Sequence, residues 1–184
     1  MRRFTQGFYG YAFALLVCMG LAVIIVVSAP TGREGQHVPR LDYTITVANY
    51  NRSVPHEVRA PAKDPADWIP NSNRIAKGAD GSSVLSVGYA TAPDAEGERH
   101  HAMIVQGSEK PAPAFASRIA NTDKAIGTVQ IAGESWEKRF REDKNQRTLV
   151  RFLPDATLMV TGTADWPELT ALATALKPQP KPTS

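Results

Sequence analysis

The sequence predicts an α+β protein, with an N-terminal transmembrane helix followed by one domain whose mostly antiparallel sheet is covered by two helices. Three observations carry this prediction. Residues 8–27 form an apolar run without a charged side chain. Later segments alternate apolar and polar residues as half-buried strands do. Two segments with helical spacing, 111–121 and 165–177, lie between and after these strands.

Residues 8–29 are expected to cross a membrane, because about twenty residues at roughly 1.5 Å rise span the roughly 30 Å hydrocarbon core. A cleaved signal peptide ending at Val27-Ser28-Ala29 is the alternative. The run is longer than the roughly 7 to 15 residues of a signal core, and Pro30 would follow the cleaved bond. We therefore predict an uncleaved anchor, preceded by a cytoplasmic stub at residues 1–7.

Basic residues flank this run on both sides, with Arg2 and Arg3 before it and Arg33 and Arg40 after it. With the terminal amine included, the positive-inside rule favours a single-pass protein of the cytoplasmic membrane with its N-terminus inside and its domain outside.

Small residues recur every fourth position in the run, at Gly10, Ala14, Cys18 and Ala22. This face would let a second helix approach closely, so a homodimer through the anchor is one predicted partnership. Because Gly and Ala are common in membrane helices, an unpaired helix is the alternative. Cys18 is the only cysteine, so the domain is predicted to contain no disulfide and no cysteine metal site.

About 150 residues follow the anchor, which is enough for one domain with a core. The formal net charge is +3, and Arg2 and Arg3 supply two of these charges. The domain is therefore nearly neutral, and no nucleic-acid partner is predicted.

The first part of the domain follows a flexible stalk at residues 30–40, which is rich in Pro and Gly. Leu41–Val47 alternates as a strand with Tyr43, Ile45 and Val47 on one side, although a short helix could begin at Ala48. Asn51-Arg52-Ser53 fits a glycosylation sequon, a pattern that is frequent by chance.

A short strand is expected at residues 56–59, and the proline-rich loop after it carries Trp68. We predict that Trp68 is a lid over the core, with a ligand platform as the alternative. The remaining strands are predicted as a hairpin of 73–77 with 83–91, a strand at 101–106, two strands at 127–133 and 135–142, and a hairpin of 149–152 with 157–161.

Two helices complete the domain, which spans residues 41–177. Residues 111–121 place Phe115 and Ile119 on one face. Asp165 and Glu168 can form a capping box for the last helix. Both helices are predicted to cover the same face of the sheet, and residues 178–184 are predicted as a disordered proline-rich tail.

Catalytic signatures are weak in this sequence, which has no glycine-rich phosphate loop, nucleophile elbow or paired-histidine zinc motif. Ser135-Trp136-Glu137-Lys138 fits a serine-x-x-lysine pattern but lacks its companion motifs. His100 and His101 would point to opposite faces of a strand, which disfavours a shared metal ion. No catalytic, cofactor-binding or metal-ligating residue is assigned, and no cofactor is predicted.

The densest basic segment runs from Lys138 to Arg151 and includes Trp136 and Phe140. It could contact an anionic polymer or lipid headgroups. Because Glu137, Glu142 and Asp143 interrupt it, a solvated strand face of mixed sign is the favoured interpretation.

Several short motifs occur in a familiar order: Trp68, Ser86-Val87-Gly88-Tyr89, Gly133-Glu134-Ser135-Trp136 and Val160-Thr161-Gly162-Thr163-Ala164. With these motifs the chain resembles the actinobacterial membrane proteins of the domain of unknown function 4245 family. The resemblance implies a single-pass envelope protein and carries over no activity, cofactor or catalytic residue. The chain departs from the family at 41–52, where members are more helical.

The predicted function is a non-enzymatic envelope module that binds a protein partner or an envelope component. The alternative is a carrier of a hydrophobic ligand or lipid at the outer face of the cytoplasmic membrane, which would need an apolar cavity. A third hypothesis is an enzyme whose site assembles from distant residues such as His101, Glu134 and Asp165.

Overall fold

The computed structural model describes residues 5–28 and 38–181, and the chain divides into two units, Met1–His37 and Val38–Ser184. The first unit contains helix α1 at Thr5–Ser28, which includes the apolar run. No helix in the described residues combines the length and apolarity that a membrane crossing requires. The membrane anchor stays a prediction. The start of the stub, the cleavage position at Ala29 and stalk residues 30–37 lie outside the described residues.

The second unit is built on a seven-stranded sheet in which every neighbouring pair is antiparallel. The strand order is β2-β3-β4-β8-β7-β6-β5, and a separate two-stranded sheet pairs β1 with β9. The strands are β1 Arg59–Pro61, β2 Ile69–Lys77, β3 Ser83–Ala90, β4 His101–Gly107, β5 Ala125–Ile131, β6 Glu134–Arg141, β7 Gln146–Phe152, β8 Thr157–Gly162 and β9 Leu176–Pro178.

Three α-helices and one short 3-10 helix accompany these strands: α2 Thr44–Ser53, α3 Ala112–Ala120, α4 Trp166–Ala175 and the 3-10 helix Glu142–Lys144. The structure therefore confirms an α+β domain with a mostly antiparallel sheet. It also confirms the predicted hairpins, since β2 pairs with β3 and β7 pairs with β8. The predicted capping box of α4 is present, with Asp165 and Glu168 bonded to each other's backbone N–H groups.

The two helices that were predicted to share one face lie on opposite faces, so that prediction is wrong. Leu172 of α4 belongs to the larger core cluster with Leu158 and Val160, whereas Phe115 of α3 packs with Met159 between them. Successive strand residues point to opposite faces. Because all six residues of β8 are buried, the sheet needs cover on both sides.

The strand predicted at Leu41–Val47 is also wrong, because α2 begins at Thr44. The side chains that α2 buries are Val47, Tyr50 and Asn51, which follow helical spacing. β-branched residues such as those at 44–47 favour strands only weakly, and burial of one helical face overrides that preference. The predicted departure from the family at 41–52 is therefore not seen.

Within the predicted tail at 178–184, Pro178 belongs to β9 and residues 179–181 form hydrogen bonds to the domain. Gln179 donates its backbone N–H to the carbonyl of Val58 at 2.8 Å, which extends the pairing of β9 with β1. The tail thereby packs against the segment that follows α2. Residues 182–184 lie outside the described residues.

Candidate functional site

An open groove of about 1210 Å³ lies beside α2, and we call it the α2 groove. One wall is the segment 40–52, which includes most of α2. The other wall is the segment 60–70, which runs from the end of β1 to the start of β2, and the tail residues 179–181 close one end. The tail comes from a part of the chain that is distant in sequence from the other two segments.

A hydrogen-bonded cluster of three side chains links the two walls. The hydroxyl of Tyr43 donates to one oxygen of Asp64 at 2.7 Å, and the guanidinium of Arg40 pairs with the other oxygen at 2.8 Å. Burial is the main cause that raises the pKa of Tyr43 to about 12. Tyr43 therefore stays protonated at neutral pH and acts as a hydrogen-bond donor.

Trp68 lies at the base of the groove and is 5% exposed. A turn closed by the Trp68 N–H and the Pro65 carbonyl at 3.2 Å brings it there, with Asp67 at a φ of 61°. Asp tolerates this left-handed conformation better than most residues. The indole packs near the Tyr89 ring, with centroids 6.1 Å apart. Trp68 thus covers the core, as predicted, and also lines the groove.

Asn51 has a buried acceptor on the groove wall. Its side-chain Nδ2 donates to the carbonyl of Pro180 at 2.8 Å, while its Oδ1 has no hydrogen-bond partner among the described residues. The Pro180 carbonyl oxygen can only accept a hydrogen bond, so the Asn51 atom that contacts it is the donor Nδ2, and the other atom of the amide is the acceptor Oδ1. Asn51 is only 2% exposed, so the sequon is not presented for glycosylation in this fold.

The described groove residues include no His, Cys or Ser, and the groove contains no histidine-paired nucleophile. Basic and acidic side chains are mixed along the walls. Aromatic, proline and hydrogen-bonding groups lie between them. This composition is suited to recognition of an extended polar partner through hydrogen bonds and aromatic contacts. The charged lining residues are Arg40, Asp42, Arg52, Lys63, Asp64, Asp67 and Lys181.

The residues of the distant-site hypothesis do not converge. Glu134 pairs with Arg151, which lies opposite Leu158 at the start of β8. His101 instead bonds through its backbone N–H to the Thr163 hydroxyl, just past the end of β8. Five strand residues separate these ends by roughly 16 Å. Asp165 follows Ala164, whose backbone N–H donates to the His101 carbonyl, but the Asp165 carboxylate caps α4.

Acidic neighbours neutralise part of the basic segment. Arg139 pairs with Glu137 at 2.5 Å, and Arg141 pairs with Asp143 at 2.7 Å. Trp136 is 1% exposed and belongs to the core, so it is not available to a polymer. The structure therefore favours the mixed-sign strand face.

Two weaker motifs also have structural positions. Lys138 of the serine-x-x-lysine pattern places its ammonium 4.0 Å from the ring centroid of Trp166. The Nε2 atom of His100 lies 3.4 Å from the Oδ2 atom of Asp94. In the described part of the chain, no group of three or more His, Cys, Asp or Glu side chains is arranged to hold a metal ion.

Sequence reasoning identified Trp68 but missed Asn51 and Asp64 as groove residues. The local sequence marks Asn51 only as part of a sequon, and its burial depends on the contact between the tail and α2. The helical spacing of Val47, Tyr50 and Asn51 was the one local signal that could have marked this face.

Fold and site together define an antiparallel α+β domain with an open groove of mixed charge. The chain belongs to the family described as protein of unknown function (DUF4245), whose profile matches residues 3–176. The predicted family is thus confirmed, and its actinobacterial origin stays a prediction. No curated protein and no solved structure matches the chain.

Proposed function

We propose that this chain is a single-pass membrane-anchored envelope protein whose domain binds an extended partner in the α2 groove without turning it over. The partner is a protein segment or an envelope component. The uncharged run at residues 8–27 supports the anchor. Its N-terminus lies in the cytoplasm and the domain lies outside the cytoplasmic membrane.

The observation that carries the binding function is the unpartnered Oδ1 of Asn51. A buried acceptor without a donor costs about 1–3 kcal/mol. The oxygen has less than 1 Å² of accessible surface, so a ligand N–H or O–H would reach it from the groove only after a small shift of the groove wall. Leu41 is 40% exposed on the same groove and offers apolar contact to the same ligand.

The carrier alternative needs an apolar cavity, and the larger core cluster leaves little room for one. Tyr50, Trp136 and Leu172 fill the space between the sheet and the helices α2 and α4, and each is at most 1% exposed. A hydrophobic ligand would therefore have to occupy the α2 groove beside its charged side chains. This arrangement favours a polar extended partner.

Site-specific photo-crosslinking in living cells tests the binding function. A photoreactive residue replaces Lys63, which is exposed on the groove wall, and the matched control replaces Ala171, which is exposed on α4. We expect a discrete protein or glycan to be captured from position 63 and not from position 171. Equal capture from both positions would exclude the groove, and capture of lipid alone would favour the carrier.

Two groove variants sharpen this test. Asn51→Leu removes the unpartnered acceptor, and Leu41→Ala trims an exposed side chain without touching the core. Both are expected to lower capture from position 63 at least fivefold. Because Asn51→Leu also breaks the bond to Pro180, its thermal unfolding is compared with that of the parent. Unchanged capture in the folded variants would count against the proposal.

The anchor is tested separately. We expect the full-length protein to stay in the membrane fraction after alkaline extraction, and its domain to be digested by protease added to cells stripped of their wall. Release by alkali would contradict the anchor, and protection from protease would contradict the orientation.

A further inference from the structure

The two edges of the seven-stranded sheet differ in how they are protected. The β2 edge contains Pro70, Arg74 and Lys77 and has a register irregularity between Pro70 and Ser72. The segment before α2 also covers it, since the Leu41 N–H donates to the Pro70 carbonyl at 2.8 Å. Proline, charge, irregular pairing and covering segments are the usual devices against edge-to-edge pairing.

The β5 edge has almost none of these devices. Its sequence, Ala-Ile-Gly-Thr-Val-Gln-Ile, contains neither a charge nor a proline. Ala125, Thr128 and Gln130 are exposed, as is 52% of Ile126. A bulge at Ala125/Gly127 disturbs only the first part of the strand. The rest is a regular exposed edge of the kind that pairs with another strand.

The turn after β5 shows which backbone groups face outward. Ile131 pairs with Glu134 across a two-residue turn whose residues, Ala132 and Gly133, have φ values of 52° and 80°. In such a hairpin Ile131 and Glu134 form two backbone hydrogen bonds with each other. Along the two strands, hydrogen-bonded pairs then alternate with pairs that are not hydrogen-bonded, and Gln130 and Thr128 belong to the second kind. Thr128 and Gln130 therefore point their N–H and C=O groups away from β6.

We propose that β5 pairs antiparallel with β5 of a second copy of this chain, about a two-fold axis at Val129. Thr128 of each copy then lies opposite Gln130 of the other, and their outward groups form four hydrogen bonds. The two sheets become one continuous sheet with an isologous interface.

Self-pairing suits this strand because no like charges face each other along it, since all seven residues are uncharged. The inference depends neither on the α2 groove nor on the membrane anchor.

Disulfide trapping of the full-length protein in detergent solution tests the pairing, in a Cys18→Ser background. Residues at position 129 would form a non-hydrogen-bonded pair about 4.5 Å apart between Cα atoms, which suits a disulfide. We expect Val129→Cys to form a dimer on oxidation. The matched control, Arg74→Cys on the β2 edge, should give less than a tenth of that yield.

Three further variants decide the outcome. Thr128→Lys puts a charge on the outward edge and is expected to lower the Val129→Cys dimer at least fivefold, whereas Thr128→Val should keep it within twofold. Thr128→Cys tests the neighbouring register of the strand pair, in which the two-fold axis passes through Thr128. The proposal is overturned if neither cysteine variant dimerises, if Arg74→Cys dimerises equally, or if Thr128→Lys has no effect.

Discussion

The ammonium of Lys181 lies 2.7 Å from the carbonyl oxygen of Val54, the residue that follows α2. The same ammonium reaches the carbonyls of Asn51 at 2.9 Å and His56 at 3.1 Å. One side chain of the tail thus satisfies three backbone acceptors, which lie in the last turn of α2, at its C-cap and in the segment that follows. This contact holds the tail at the end of the α2 groove.

Replacing Lys181 by Met should destabilise the domain, because the three carbonyls lose a charged donor. We expect a loss of about 1–3 kcal/mol in the free energy of unfolding, measured by denaturant titration. Lys177→Met is the matched control, since Lys177 is exposed on β9. Equal losses in the two variants would show that the ammonium contacts contribute nothing specific.

The two core clusters should respond independently to truncation. Phe115→Ala should cost about 3–5 kcal/mol and Leu172→Ala about 2–5 kcal/mol, because both side chains are fully buried. They lie on opposite faces of the sheet, so the double variant should lose the sum within about 0.5 kcal/mol. A larger coupling energy in denaturant titrations would contradict the two-faced layout.

Gly162 should tolerate no side chain. A Cβ there would collide with the backbone carbonyl of His101, which belongs to the neighbouring strand. We expect Gly162→Ala to cost about 3 kcal/mol, because the β4–β8 pairing must shift. Gly88→Ala is the matched control, since its Cβ would meet the rotatable hydroxyl of Ser72. The order of the two melting temperatures checks the prediction.

Acidification should destabilise the domain through His56. Burial lowers the pKa of His56, and the nearby Lys181 adds to this effect while Asp155 opposes it. Because the unfolded imidazole titrates near 6.5, the unfolded chain binds more protons as the pH falls through that value. The contribution of His56 to the free energy of unfolding is therefore complete above about pH 6.5. It declines as the pH falls below that value, until the pH passes the pKa of His56 in the folded protein.

The His56→Gln variant measures this contribution. We expect its free energy of unfolding to fall less steeply than that of the parent between about pH 7.5 and pH 5.5. Burial also lowers the pKa of His101, so His101→Gln should reduce the slope separately. A slope that is unchanged in His56→Gln would refute the assignment.

The local patterns were sufficient wherever one segment carried its own signal. The hairpin around Leu153-Pro154-Asp155-Ala156 joins two apolar runs through turn residues, and the cap at Asp165 needs only Glu168 three positions later. Both were predicted because their hydrogen bonds are short-range. The strand prediction at 41–47 was wrong because the strand preference of residues 44–47 is weak. The buried side chains of α2 pack against β2 and β3, which follow later in the chain.

The family, the antiparallel hairpins and the capped last helix could be predicted, because these depend on neighbouring residues or on the order of motifs along the chain. Only three-dimensional packing places α3 and α4 on opposite faces and brings Asn51 to Pro180 in the groove wall. Those relations join residues more than a hundred positions apart or depend on which face of a strand each neighbour covers. Such arrangements depend on packing between segments that are distant in sequence, so no local sequence pattern predicts them.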